Sequence, residues 1–140
     1  MEPRRILIVA NQTAGGSHLK QVVRKKIEES PSVFTLLVPA SPTEGTWSEG
    51  QTHAAADERM REALAGLREV GAEVEGIVGD HRPIHAIADT LSEQPAYQEI
   101  IVSTLPVGIS RWLKQDLPHR VERVFRLPTT HVVAEPAEKA

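Results

Sequence analysis

A chain of 140 residues is long enough to bury a core of its own, and the absence of cysteine excludes disulfides, thiolate metal sites and a thiol nucleophile. A formal charge of −3 leaves no basic excess to meet a phosphate backbone, so nucleic acid is not expected as a partner. The first apolar run, Ile6 to Ala10, is too short for a signal peptide and no stretch has the length of a membrane span; the sequence therefore predicts one soluble cytoplasmic domain over residues 1–140, without membrane contact.

Residues 1–4 are expected to be loose. Ile6 to Ala10 is apolar without alternation, the pattern of a strand covered on both faces. Asn11 to Ser17 is a small-residue loop, with Ser17 placed to cap a helix whose Leu19, Val22, Val23 and Ile27 share one face while Lys20, Arg24, Lys25 and Lys26 point more outward. Pro31 ends that helix, and Val33 to Val38 forms the second strand. Residues 39–53, rich in Pro, Gly and Ser, read as a mobile connection. The next helix runs from Ala54 to Val70 on a stripe of Met60, Ala63, Leu64, Leu67 and Val70, and Gly71 terminates it.

Val74 to Val78 is the third strand. Pro83 opens a helix that faces Ile84, Ile87, Ala88 and Leu91 inward, and Pro95 closes it. Glu99 to Ser103 is the fourth strand. The helical pattern that starts at Ile109 runs through Trp112 and Leu113, is interrupted at Pro118, and resumes with Val121, Val124 and Phe125, which predicts two helical pieces or one bent helix. Thr129 to Ala134 is the fifth strand, and residues 135–140 form a loose charged tail. Five apolar runs alternating with four helical segments predict an α/β fold, a three-layer α/β/α sandwich around a five-stranded parallel sheet.

The segment from Glu99 to Arg111 carries the strongest functional signal. A buried strand stops at two hydroxyls, Ser103 and Thr104, and re-enters a helix through Pro106, Gly108, Ser110 and Arg111. Open α/β sheets place ligands at such strand ends, and free backbone N–H groups with a guanidinium nearby suit an anion. The competing account is that Pro106 and Gly108 only turn the chain and Ser110 caps the helix. Asp80, His81 and His85 lack a third metal ligand and read as solvated or capping groups, so no metal site is expected. No nucleophile–base pairing stands out, so no residue is assigned a catalytic role.

Three stretches together resemble the universal stress protein family: Val78-Gly79-Asp80 before the third helix, the strand–loop–helix from Glu99 to Leu113, and the proline-led last strand, Leu127 to Val133. The resemblance covers essentially the whole chain. It implies a sheet of order 3-2-1-4-5 with about four helices, in which the carboxyl ends of strands 1 and 4 flank the ligand-binding switch point. Asn11, Gln12, Thr13 and Ser17 would then stand opposite Ser103, Thr104, Gly108, Ser110 and Arg111, with Arg111 able to hold an anion bidentately.

ATP-binding members carry a G-x2-G-x9-G-[ST] pattern after the fourth strand, whose glycines bring the backbone to the phosphates. This chain keeps only Gly108 of it; Gln115-Asp116 stand at the final pair, and Asn11 replaces the first-strand Asp that addresses the adenine–ribose end. A carboxylate about 4 Å from a phosphate charge costs on the order of a few kcal/mol. The resemblance thus implies a non-enzymatic domain acting in the stress response through dimerisation or small-ligand sensing, with ATP or AMP as candidate nucleotides and weak or no ATP binding. It also implies a homodimer joined through the last strand. A nucleotide-binding protein with slow hydrolysis, and a small-molecule enzyme using Arg111 and Ser103 on an anionic substrate, are the alternatives.

Overall fold

In the computed structural model, the described residues are 3–40, 49–94, 96–106 and 110–134, without the side chains at 49, 51 and 111. Ten elements follow in the order β1 (Arg4–Val9), α1 (Ser17–Glu29), β2 (Ser32–Pro39), α2 (Glu49–Glu69), β3 (Glu73–Gly79), α3 (Pro83–Glu93), β4 (Glu99–Thr104), α4 (Arg111–Lys114), α5 (Leu117–Phe125) and β5 (Thr129–Val133). All strand pairs are parallel and the order is β3-β2-β1-β4-β5. This is the α/β architecture expected, with five helices in place of about four because the pattern around Pro118 resolves into two pieces.

The alternation of side chains along each strand builds two cores, one on either face of the sheet. Ile6, Ile8, Phe34, Leu36 and Ile101 pack against Leu19 and Val23 of α1 and Ala63, Leu64 and Leu67 of α2. Leu7, Val9, Leu37, Ile100 and Val102 pack against Ala86 and Ile87 of α3 and Leu117 and Val121 of α5. Burial on both faces explains why the central strands read as unbroken apolar runs. Gly71, at φ 97°, ends α2 as expected: Ala72 N–H donates to Leu67 O and Gly71 N–H to Arg68 O, the two bonds of a Schellman turn.

Several local expectations are corrected. Arg4 is not loose but opens β1, and its guanidinium meets Glu99 at 3.1 Å. The connection expected over residues 39–53 is shorter: Pro39 belongs to β2, residues 49–53 belong to α2, and residues 41–48 lie outside the described residues. Lys26 points inward to Glu99 at 3.0 Å. In α3, Ala86 is buried and Ala88 is exposed. Pro118 lies in the first turn of α5, where its missing N–H breaks no helical bond, and Val124 is 54% exposed because Leu117 and Val121 set the buried face of that short helix. The expected roles of residues 1–2, Pro95 and 135–140 lie outside the described residues.

Candidate functional site

The carboxyl ends of β1 and β4 are adjacent, and the loop that leaves β1 folds back over β4. Ser103 continues the face of Ile101, toward α1 and α2, and its Oγ lies 2.6 Å from Thr13 Oγ1. Both residues are buried. Thr104, one residue on, turns to the other face, as strand alternation requires, and its hydroxyl shares a 2.8 Å hydrogen bond with His131 Nε2. The two hydroxyls read together in the sequence therefore serve opposite sides of the sheet.

Asn11 is also buried, and its amide is used at both ends: Nδ2 donates to Pro39 O at 2.9 Å, and Oδ1 accepts from Arg59 Nη1 at 2.9 Å. Its backbone carbonyl accepts from Ala14 N–H, which tightens the loop. Arg59 of α2 was not singled out in the sequence. The signal was there: it follows buried Ala56 by three residues and so stands on the inward side of the helix, an unusual place for a cation. Gln12 is exposed. Ser17 is exposed as the first residue of α1, and the capping position falls one residue earlier, at Gly16.

On the β4 side, Ser110 is 3% exposed and its Oγ accepts from Leu113 N–H at 3.1 Å, the bond of an N-cap on α4. Its own N–H donates to Pro106 O. Gly108 lies outside the described residues; Arg111 opens α4, with its side chain outside them. Asp116, at φ 56°, accepts from His119 Nδ1–H at 2.7 Å. With Leu113, Pro118, Glu122, Thr129 and His131 these two line a hollow of about 240 Å³ on the α5 side. Burial, and after it the neighbouring His119, push the His131 imidazole below its ordinary pKa.

Asp80 is committed to Arg82: its carboxylate accepts from the Arg82 backbone N–H at 2.8 Å and from Nε and Nη2 at 3.0 Å each. Those side-chain bonds, then the backbone bond, hold the carboxyl well below the usual range. Among the described residues no three His, Asp or Glu groups are arranged to hold a metal ion.

The polar groups at this strand end are buried and satisfy one another. Ser103 is partnered by a second hydroxyl, which cannot serve as the base that makes a serine nucleophilic. Thr13, Ser103, Asn11 and Arg59 instead offer exchangeable hydrogen bonds around the switch point.

No protein-family model matches the chain, and no curated protein sequence matches it. Solved structures do match. A universal stress protein family protein from Arabidopsis thaliana, with AMP bound, superposes with a TM-score of 0.61 at 10% identity over 99% of this chain and 96% of that one. A universal stress protein from Archaeoglobus fulgidus gives 0.59 at 16% identity, covering 94% of this chain and 93% of its own. A universal stress protein in complex with cAMP gives 0.56 at 16% identity, covering 94% and 97%. The fold is thus that of the universal stress proteins, as the resemblance implied.

Proposed function

We propose that this chain is a ligand-sensing domain of universal-stress type that takes a nucleoside monophosphate in the β1/β4 cleft and does not turn it over. The observation that carries the reading is the Thr13–Ser103 hydroxyl pair, which joins the ends of the two central strands at the topological switch point. Similar folds are described with AMP and with cAMP. Of the residues expected to bind, Asn11, Gln12, Thr13, Ser17 and Ser103 form the contact set under this reading. Thr104 and Ser110 support it from behind, through His131 and α4.

Geometry favours one orientation of the ligand. In this orientation the base lies toward the corner of β1 and β2 and the phosphate toward the Thr13 and Ser103 hydroxyls at the end of β4. Affinity is modest under this reading. Each hydrogen bond to the ligand replaces one already made, for a net gain of about 1 kcal/mol, and a handful of them gives a Kd on the order of 10⁻³ to 10⁻⁴ M. No glycine occurs between Ile109 and Ala140 to bring further backbone N–H groups to a triphosphate. Magnesium ATP is therefore held weakly or not at all.

Isothermal titration with AMP and with magnesium ATP, paired with a thermal-shift series, tests the proposal. AMP is expected to bind with ATP at least about tenfold weaker, and no phosphate to be released. No heat and no shift from either nucleotide at millimolar concentration rejects it. A homodimer joined along β5 and a cytoplasmic, stress-linked role belong to the same reading. No helix among the described residues is long and apolar enough to cross a membrane.

A further inference from the structure

We propose that the hollow between α5 and β5 is a second binding site, one that takes the guanidinium group of a small organic cation. It lies on the face of the sheet where Thr104 meets His131, whereas the Thr13–Ser103 pair lies on the other face. The inference therefore stands independently of the nucleotide reading.

The hollow measures about 240 Å³. Pockets for drug-sized ligands start at about 300 Å³, so this one suits a head group of a few atoms. Leu113 and Pro118 give it apolar lining, Asp116, His119 and Glu122 face it from the α5 side and Thr129 and His131 from β5, with no Lys or Arg among the described lining residues. The polar lining is rich in acceptors. A carboxylate can only accept, so the 2.7 Å contact between His119 Nδ1 and Asp116 Oδ1 puts a proton on Nδ1 and leaves Nε2 of the neutral ring as an acceptor. Asp116 Oδ2 and Glu122 Oε1 receive no hydrogen bond from the described residues, and Glu122 Oε2 takes only a long one, 3.4 Å from Thr129 N–H.

Spare carboxylate oxygens on two sides call for a ligand with several donors and a positive charge, and they repel an anion. Guanidinium meets this better than ammonium. Its N–H donors spread in one plane toward separated acceptors, and its weaker hydration lets it give up less water against Leu113 and Pro118. The walls are held in advance: Thr104 fixes the His131 ring at 2.8 Å, Asp116 fixes His119, and buried Leu117 and Pro118 anchor the start of α5.

The test is an NMR titration of the full chain with methylguanidinium chloride, against methylammonium chloride and sodium chloride at matched ionic strength, following the imidazole resonances of His119 and His131. Methylguanidinium is expected to shift both rings saturably with a Kd on the order of 10⁻³ M, and methylammonium to bind at least about threefold more weakly. Glu122→Gln, which keeps the shape of an exposed side chain and removes its charge, is expected to weaken methylguanidinium at least about fivefold. Asp116→Asn, which keeps an acceptor for His119 and a residue that tolerates the left-handed backbone at φ 56°, is expected to act in the same direction and decides the matter if Glu122→Gln does not fold. Shifts that do not saturate, or that sodium chloride reproduces, overturn the site. Methylammonium bound as tightly as methylguanidinium overturns the choice of guanidinium. An affinity unchanged in both variants overturns the assignment to this hollow.

Discussion

Thr13 Oγ1 and Ser103 Oγ lie 2.6 Å apart although the residues are 90 positions apart in the chain, so one buried bond ties the loop after β1 to the end of β4. Removing either hydroxyl leaves the other buried without its partner, which costs about 1–3 kcal/mol, whereas removing both costs less than the sum. Ser103→Ala and Thr13→Val are each expected to lower the free energy of unfolding by about 1–2 kcal/mol, with a favourable coupling in the double variant. Urea denaturation of the four proteins measures the cycle. Strict additivity shows that the two hydroxyls do not interact in solution.

At the opposite end of the same strands, Glu99 collects charge. Its carboxylate meets Arg4 at 3.1 Å and Lys26 at 3.0 Å with a side chain only 11% exposed, and Arg4 reaches Glu29 at 3.6 Å. Taking the negative partner out of such a cluster leaves two cations facing each other with poor access to water. Arg4 is about a quarter exposed, which moderates the effect, so Glu99→Gln is expected to destabilise the chain by about 1–3 kcal/mol. A change below a few tenths of a kcal/mol in chemical denaturation shows that solvent already screens the cluster.

Much of this fold is legible because its central strands are covered on both sides. Ile6 to Ala10 and Ile100 to Val102 are apolar throughout, and Pro31, Gly71 and Pro83 punctuate the helices where their backbone chemistry demands. The beginning of α2 was not legible, since Gly50, Thr52 and His53 carry no apolar stripe and are helical only as the extension of a longer packed helix. At the site, adjacent Ser103 and Thr104 look like one cluster in the sequence, yet the period of two along a strand sends them to different faces. Arg59 meets Asn11 from 48 residues away, a contact made by the docking of α2 rather than by any local pattern.

The His131 imidazole gives a pH dependence with a definite sign. Burial and His119 lower its pKa in the folded chain below the ordinary value of 6.5, so in that window the unfolded chain binds more protons than the folded one. Its contribution to stability is fully present above that ordinary value and is lost as pH falls through it toward the folded pKa. Unfolding followed by urea between about pH 7.5 and 5 is expected to show stability falling with acidity. His131→Asn, which removes the titrating ring and keeps a polar partner for Thr104, flattens that slope. An equal slope in the variant assigns the effect to other groups.

The edge of the sheet at β5 makes a last prediction. Ile100 N–H donates to Pro128 O and Ala134 N–H to Thr104 O, so in a parallel ladder the backbone groups of residues 129, 131 and 133 point outward. Val133 is 37% exposed there, an apolar side chain at the edge of the sheet among the described residues, of the kind a second copy of the chain would cover. His18 already donates its Nδ1–H to Val133 O at 2.6 Å and Thr129 N–H donates to Glu122 Oε2 at 3.4 Å, so backbone pairing is confined to Thr129 O and the His131 groups, and the side chain of Val133 supplies the apolar contact. Sedimentation velocity at micromolar concentration is expected to show a dimer for the wild type. Val133→Lys, a charge of the kind that blunts natural edges, shifts it to monomer without changing the far-ultraviolet circular dichroism. A wild-type chain that sediments as a monomer removes the β5 dimer, and a Val133→Lys chain that remains dimeric moves the contact elsewhere.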